Sequence, residues 1–101
     1  MTLEVTFRPE AEQDLFEIYS YIADKTGLET AGNYVARIEA ACLSLATFPW
    51  RSAPREDLAP GVRALVFERR ATIAYRVEGD RVRIARVFHA GRDYGEDDFG
   101  E

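Results

Sequence analysis

Apolar side chains recur at two different periods along this chain, and the switches between them mark out its elements. Leu3, Val5 and Phe7 alternate with polar residues, as in a strand with one buried face. Pro9 then opens a helix in which Ala11, Leu15, Ile18, Tyr19 and Ile22 fall at helical spacing, with Glu10, Asp14 and Glu17 assigned to the opposite, polar face. Glu10 and Glu12 sit in the first turn, where carboxylates suit the helix dipole. The helix should end near Asp24 or Lys25, because Gly27 is a ready terminator. Thr26-Gly27-Leu28-Glu29 has the spacing of a capping box that starts a second helix at once. Ala31, Tyr34, Val35, Ile38, Ala41, Cys42 and Leu45 form the stripe of that helix. Two helices with so short a link pack as an antiparallel hairpin.

Phe48-Pro49 stops the second helix, and residues 50–60 read as an irregular connection. Strand patterns follow near residues 62–69, 71–77 and 81–89, with Glu78-Gly79-Asp80 as a tight turn between the last two. The fold class is therefore α+β in the order β-α-α-β-β-β, a helical hairpin covering one face of a mainly antiparallel sheet. Within the sheet, Ile73, Tyr75, Val77, Val82 and Ile84 are assigned to the helix side, and Arg76, Arg81 and Arg83 to the other. Ala85-Arg86-Val87-Phe88 breaks the alternation. Either Arg86 points inward, needing a carboxylate or backbone oxygens, or a bulge resets the register. The outward face then mixes arginines with Ala64, Val66, Ala74, Ala85 and Val87, a shallow surface suited to an acidic amphipathic peptide.

Length and charge narrow the reading. A chain of 101 residues, 47% apolar, reads as one domain spanning 1–101, in which residues 93–101 form an acidic, mobile tail. Ten arginines lie between Arg51 and Arg92 against five acids, while residues 1–50 and 93–101 each carry a surplus of five acids. That polarity points to an acidic or anionic partner met by the strand half. A net charge of −5 argues against wholesale wrapping of nucleic acid, and no sequence-specific nucleic-acid binding is expected. The lone Cys42 can form no internal bridge, which fits a reducing compartment, and is assigned to core packing. No apolar run reaches membrane-spanning length and Met1-Thr2-Leu3-Glu4 lacks a basic leader, so a cytoplasmic protein is expected. One histidine and one cysteine make no metal cluster, and no cofactor is expected.

Across nearly its whole length the chain resembles the ParE toxins of bacterial type II toxin–antitoxin pairs, within the RelE/ParE fold family. The resemblance is carried by Phe7-Arg8-Pro9-Glu10-Ala11-Glu12-Gln13-Asp14-Leu15, by Ile18 with Tyr21-Ile22, and by Ala31 with Tyr34 and Ile38. It continues through Leu45-Ala46-Thr47-Phe48-Pro49, Arg55-Glu56-Asp57-Leu58, Pro60-Gly61-Val62-Arg63, Ile73-Ala74-Tyr75-Arg76 and Arg86-Val87-Phe88-His89-Ala90-Gly91-Arg92-Asp93. Ser52-Ala53 departs from a usual glycine, and Ala71 from a common tyrosine. The resemblance implies a toxin that inhibits DNA gyrase by binding it, neutralised in a hetero-oligomer by a cognate ParD-like antitoxin. The residues expected to hold the antitoxin are Arg63, Arg69, Arg70, Arg76, Arg83, Arg86 and Trp50.

RelE-like relatives instead cut messenger RNA on the ribosome. Metal-free RNA cleavage needs a base for the 2′-hydroxyl, an acid for the leaving oxygen and cations for the phosphate. His89, Glu68 and Arg86 are the candidates, with Arg69, Arg70, Arg76 and Tyr94 nearby in the chain. Against this, the chain has a single lysine and excess acid, unlike a protein that works on ribosomal RNA. A non-toxic binding module is the third reading. The competing expectations for single residues are structural: His89 hydrogen-bonded at a strand end, and Tyr19, Tyr21 and Tyr34 packed with wet hydroxyls. Trp50 is either a lid on the core or an exposed anchor.

Overall fold

A computed structural model describes residues 2–89 of the chain. Its elements are β1 (Glu4–Phe7), α1 (Pro9–Thr26), α2 (Leu28–Ser44), β2 (Ala53–Pro54), β3 (Arg63–Phe67), β4 (Ala71–Glu78) and β5 (Arg81–His89). They form a five-stranded sheet in the order β1-β5-β4-β3-β2, parallel at β1–β5 and antiparallel elsewhere. The α1–α2 hairpin covers one face. Ala11, Leu15, Ile18, Tyr34, Ile38, Cys42 and Leu45 from the helices close on Ile73, Tyr75, Val82, Ile84 and Val87 from the sheet. The expected fold class, helical hairpin and core cysteine are therefore present.

Five local expectations are corrected. Thr26 does not cap α2: its hydroxyl donates back to the Ile22 carbonyl at 3.0 Å, and Gly27, at φ 104°, takes the N-cap position with no side-chain hydrogen bond. The chain turns there because glycine tolerates a positive φ. Asp14 leaves the polar face of α1 and is buried, since it shares the inward stripe with Ala11, Leu15 and Ile18. The strand expected over residues 62–69 stops at Phe67, and Glu68 and Arg69 turn back through φ 50° and 63° with the Arg70 amide donating to the Phe67 carbonyl at 3.0 Å. The irregular connection contains the two-residue strand β2, paired to Ala64 and Arg63.

The fifth correction concerns the outer sheet face. Leu58, Ala59 and Val62 from the connection fold over it and pack with Ala74, Ala85 and Phe88 in a second apolar cluster. Ala64 is buried too, and Val87 belongs to the helix-side core. The expected shallow surface of small residues is thus covered by the chain's own loop, leaving Val66 exposed. Polar contacts pin that loop. The Arg55 amide donates to the Val62 carbonyl at 2.7 Å, Arg76 Nε to the Pro60 carbonyl at 3.0 Å, and Arg55 grips Asp57 at 2.9 and 2.8 Å. The apolar residues of Leu58-Ala59-Pro60-Gly61-Val62 fall at no regular period, so they gave no signal of burial.

Candidate functional site

The candidate arginines divide into two groups according to what their guanidinium groups already hold. Arg86 belongs to the first. Register shifts between Ala74 and Tyr75, which face Arg86 and Ile84, so Ala85 is an extra residue in β5 and marks a bulge. Both alternatives raised by the broken alternation are realised: the bulge is there, and Arg86 is buried against a carboxylate. Its Nε and Nη2 donate to Asp14 at 2.7 and 2.8 Å, and the Val87 amide donates to the same carboxylate at 2.9 Å. Position explains the pairing. β1 last pairs at Phe7 with Ile84, so beyond that point α1 lies beside the edge of β5 and Asp14 takes the backbone donor a strand would have met.

Arg63 and Arg76 are likewise committed within the molecule. Arg63 donates to the Trp50 carbonyl at 3.1 Å and to the Ser52 carbonyl, and lies 5.1 Å from the centroid of the Trp50 ring. Trp50 is 63% exposed, so it does not act as a lid on the core. Ser52, Tyr75 and the Pro49 carbonyl form a connected hydrogen-bonded set beneath it. The second group is uncommitted: the guanidinium groups of Arg69, Arg70 and Arg83 make no hydrogen bond or ion pair among the described residues. Arg83 stands directly opposite Arg76 across the β4–β5 ladder, a like-charge placement that disfavours folding unless an anion answers it.

Arg69 and Arg70 stand at the β3–β4 turn, beside a cleft of about 530 Å³ next to the turn that joins α1 to α2. Tyr21, Lys25, Tyr34, Arg70, Glu68 and His89 line it. Glu68 is tied across the cleft to Arg37 of α2 by bonds of 2.9 and 3.1 Å, and that hydrogen bonding holds its carboxyl below the usual range and raises the arginine. The His89 ring meets Tyr21 and Tyr34 edge-on at 6.0 and 5.8 Å. Burial, with Arg70 nearby, lowers the His89 pKa, and burial followed by Glu68 raises that of Tyr34. Neither His89 Nε2 nor Tyr34 Oη has a hydrogen-bond partner among the described residues. The hydrogen-bonded histidine and wet Tyr34 hydroxyl expected from the chain are therefore corrected.

The nuclease candidates are not brought together. Glu68 and His89 share the cleft, but Arg86 does not line it and is held by Asp14. Tyr94 and the acidic tail lie outside the described residues. Sequence reasoning missed Asp14, Tyr21, Lys25 and Tyr34 as neighbours of these groups. The signal for Tyr21 and Lys25 was their spacing of four, which stacks the Lys25 ammonium 5.3 Å from the Tyr21 ring. Among the described residues no group of three potential metal ligands occurs, and no helix is long and apolar enough to cross a membrane.

Comparison with known proteins converges on one family. A family model described as the ParE toxin of the type II toxin–antitoxin system, parDE, matches residues 5–94. Toxin ParE1 of Caulobacter vibrioides is 34% identical over 79 residues, covering 78% of this chain and 80% of its own. Among solved structures, a chain of the chromosomal ParDE system from P. aeruginosa superposes with a TM-score of 0.78 at 28% identity, covering 87% of this chain and 96% of that one. A chain of the RelBE2 toxin–antitoxin complex from Mycobacterium tuberculosis gives 0.65 at 22% identity, covering 91% and 95%, and so shares the fold.

Proposed function

The chain belongs to the ParE toxin family of type II toxin–antitoxin systems, and from that premise we propose that it inhibits DNA gyrase by binding it in the cytoplasm. A cognate ParD-like antitoxin holds it inactive by laying an acidic segment against the arginine-bearing side. The observation that carries the docking mode is the uncommitted set Arg69, Arg70 and Arg83, whose guanidinium groups have no partner among the described residues of a chain of net charge −5. Bidentate guanidinium groups with no carboxylate of their own suit a partner's carboxylates.

Purified toxin should block supercoiling in a gyrase assay. Full supercoiling at saturating toxin, with cleaved ribosomal messenger RNA, overturns this in favour of the nuclease, and expression without any growth defect favours a plain binding module. For the antitoxin, Arg83→Glu should weaken the complex by roughly 2–5 kcal/mol if the contact is a desolvated charge pair. Unchanged affinity in a titration removes Arg83 from the interface. Arg86→Glu is unsuited to that test, because it sets a second carboxylate against Asp14 and would report on folding.

A further inference from the structure

The cleft beside the turn between α1 and α2 borders the apolar core at Ile22 and Tyr34 and carries features that packing does not explain. Its volume of about 530 Å³ is that of a small-molecule site, far more than a lone ion needs. Two polar atoms on its wall, Tyr34 Oη and His89 Nε2, are buried without partners, although Tyr34 as a whole is only 7% exposed. Buried polar groups are rarely left unmet in folded proteins, and such exceptions mark places where another molecule supplies the bond. Charge adds direction: among the described residues, Lys25, Arg37 and Arg70 line the cleft against Glu68 alone, and Glu68 is already occupied by Arg37. That leaves Arg70 and Lys25 without a carboxylate among the described residues. The Tyr21 ring stands 55% exposed at the rim, an aromatic surface available for stacking.

We propose that this cleft binds a free mononucleotide, its phosphate met by the Arg70 and Lys25 cations, its base stacked on Tyr21, and its sugar hydroxyls paired with Tyr34 Oη and His89 Nε2. Each part of the ligand answers one of these observations. A phosphate takes cations that lack partners. A hydroxyl both donates and accepts, so it satisfies a phenol and an imidazole at once. The lowered pKa of His89 keeps its ring neutral near pH 7, a hydrogen-bonding group and not a third cation. Thr30 and Asn33, also on the wall, add short polar side chains of the kind that read a base edge or ribose. This site is independent of gyrase inhibition and stands whether or not that reading holds.

The test is titration of the full chain with adenosine and guanosine monophosphates, using calorimetry together with the imidazole resonances of His89, the single histidine. Saturable binding that moves those resonances is expected, with adenosine alone and inorganic phosphate alone each at least roughly tenfold weaker. Arg70→Ala should weaken binding about tenfold, and Tyr34→Phe several-fold while leaving the circular dichroism unchanged. Should Arg70→Ala lose its fold, Lys25→Gln carries the same expectation. No saturable binding up to about 10 mM nucleotide overturns the proposal. So does binding indifferent to these substitutions, or phosphate alone binding as well as the nucleotide.

Discussion

Asp14 shows how one side chain can fix three pieces of the molecule at once. It accepts from Nε and Nη2 on one edge of the Arg86 guanidinium and from the Val87 amide, locking α1 to the bulged stretch of β5. A buried pair of this kind need not stabilise the fold relative to apolar residues, but removing one member strands the other. Asp14→Ala should therefore cost about 3–5 kcal/mol, because it takes the buried carboxylate from Arg86 and the acceptor from the Val87 amide. The double change Asp14→Leu with Arg86→Met should recover a large part of that loss, and urea unfolding of the wild type and the two variants decides it. His89 permits a second prediction. Its folded pKa lies below the ordinary histidine value, so the unfolded chain binds the proton more readily. Stability is then fully present above about pH 6.5 and is lost as the pH falls below it. Among the described residues, the groups facing the ring are Tyr21 and Tyr34 on the helices and Arg70 from the turn, and of these only Arg70 is charged near neutrality. Denaturation midpoints compared at about pH 7.5 and about pH 5.5 should drop more for the wild type than for His89→Phe.

At the level of elements, the β3–β4 turn is the least economical part of the fold. Glu68 and Arg69 both adopt positive φ, a conformation that favours glycine or asparagine and costs roughly 1 kcal/mol or more for other residues. Arg69→Gly should thus stabilise the protein by about 1 kcal/mol in thermal or denaturant unfolding. If Arg69 serves the antitoxin, the same variant should bind it more weakly, so stability and affinity would move in opposite directions. Equal or tighter binding would leave the strained arginine without a role. This turn also marks where the sequence became unreadable. A helix period over Ala11, Leu15 and Ile18 and a strand period over Ile73, Tyr75 and Val77 report a face turned to one large core, and both were legible. Glu68-Arg69 carries no glycine, asparagine or proline, so its turn could only be seen from the pairing of Phe67 with Ala71. Asp14 was misplaced for a related reason: helical spacing shows which side a residue occupies only when its own polarity does not contradict its neighbours. The cleft was invisible because Tyr34 and His89 lie 55 positions apart and meet only once the hairpin closes on β5.

On the scale of the whole molecule, stability and partner choice draw on separate parts of the chain. The helix-side core excludes solvent from Cys42, whose thiol is pushed up to about 12 by burial and then by Glu39. Native protein should accordingly resist thiol reagents, with labelling that tracks global opening and accelerates in Ile38→Ala, a core truncation worth about 2–5 kcal/mol. Rapid labelling of the folded wild type would show that α2 opens on its own. In the proposed docking mode, partner capture depends instead on charge placed outside that core, where Arg69 and Arg70 are exposed and Arg83 is partly so. Long-range attraction between these cations and an acidic antitoxin segment acts on encounter and is screened by salt, whereas the contacts that hold the complex are short-range. The association rate should therefore fall steeply as ionic strength rises from about 0.01 M to about 1 M, where the screening length shrinks from about 30 Å to about 3 Å. The dissociation rate should change far less, and charge reversal at Arg69, Arg70 and Arg83 together should flatten the salt dependence of association. A stopped-flow series on wild type and triple variant tests this, and parallel slopes would mean that other cations guide the antitoxin.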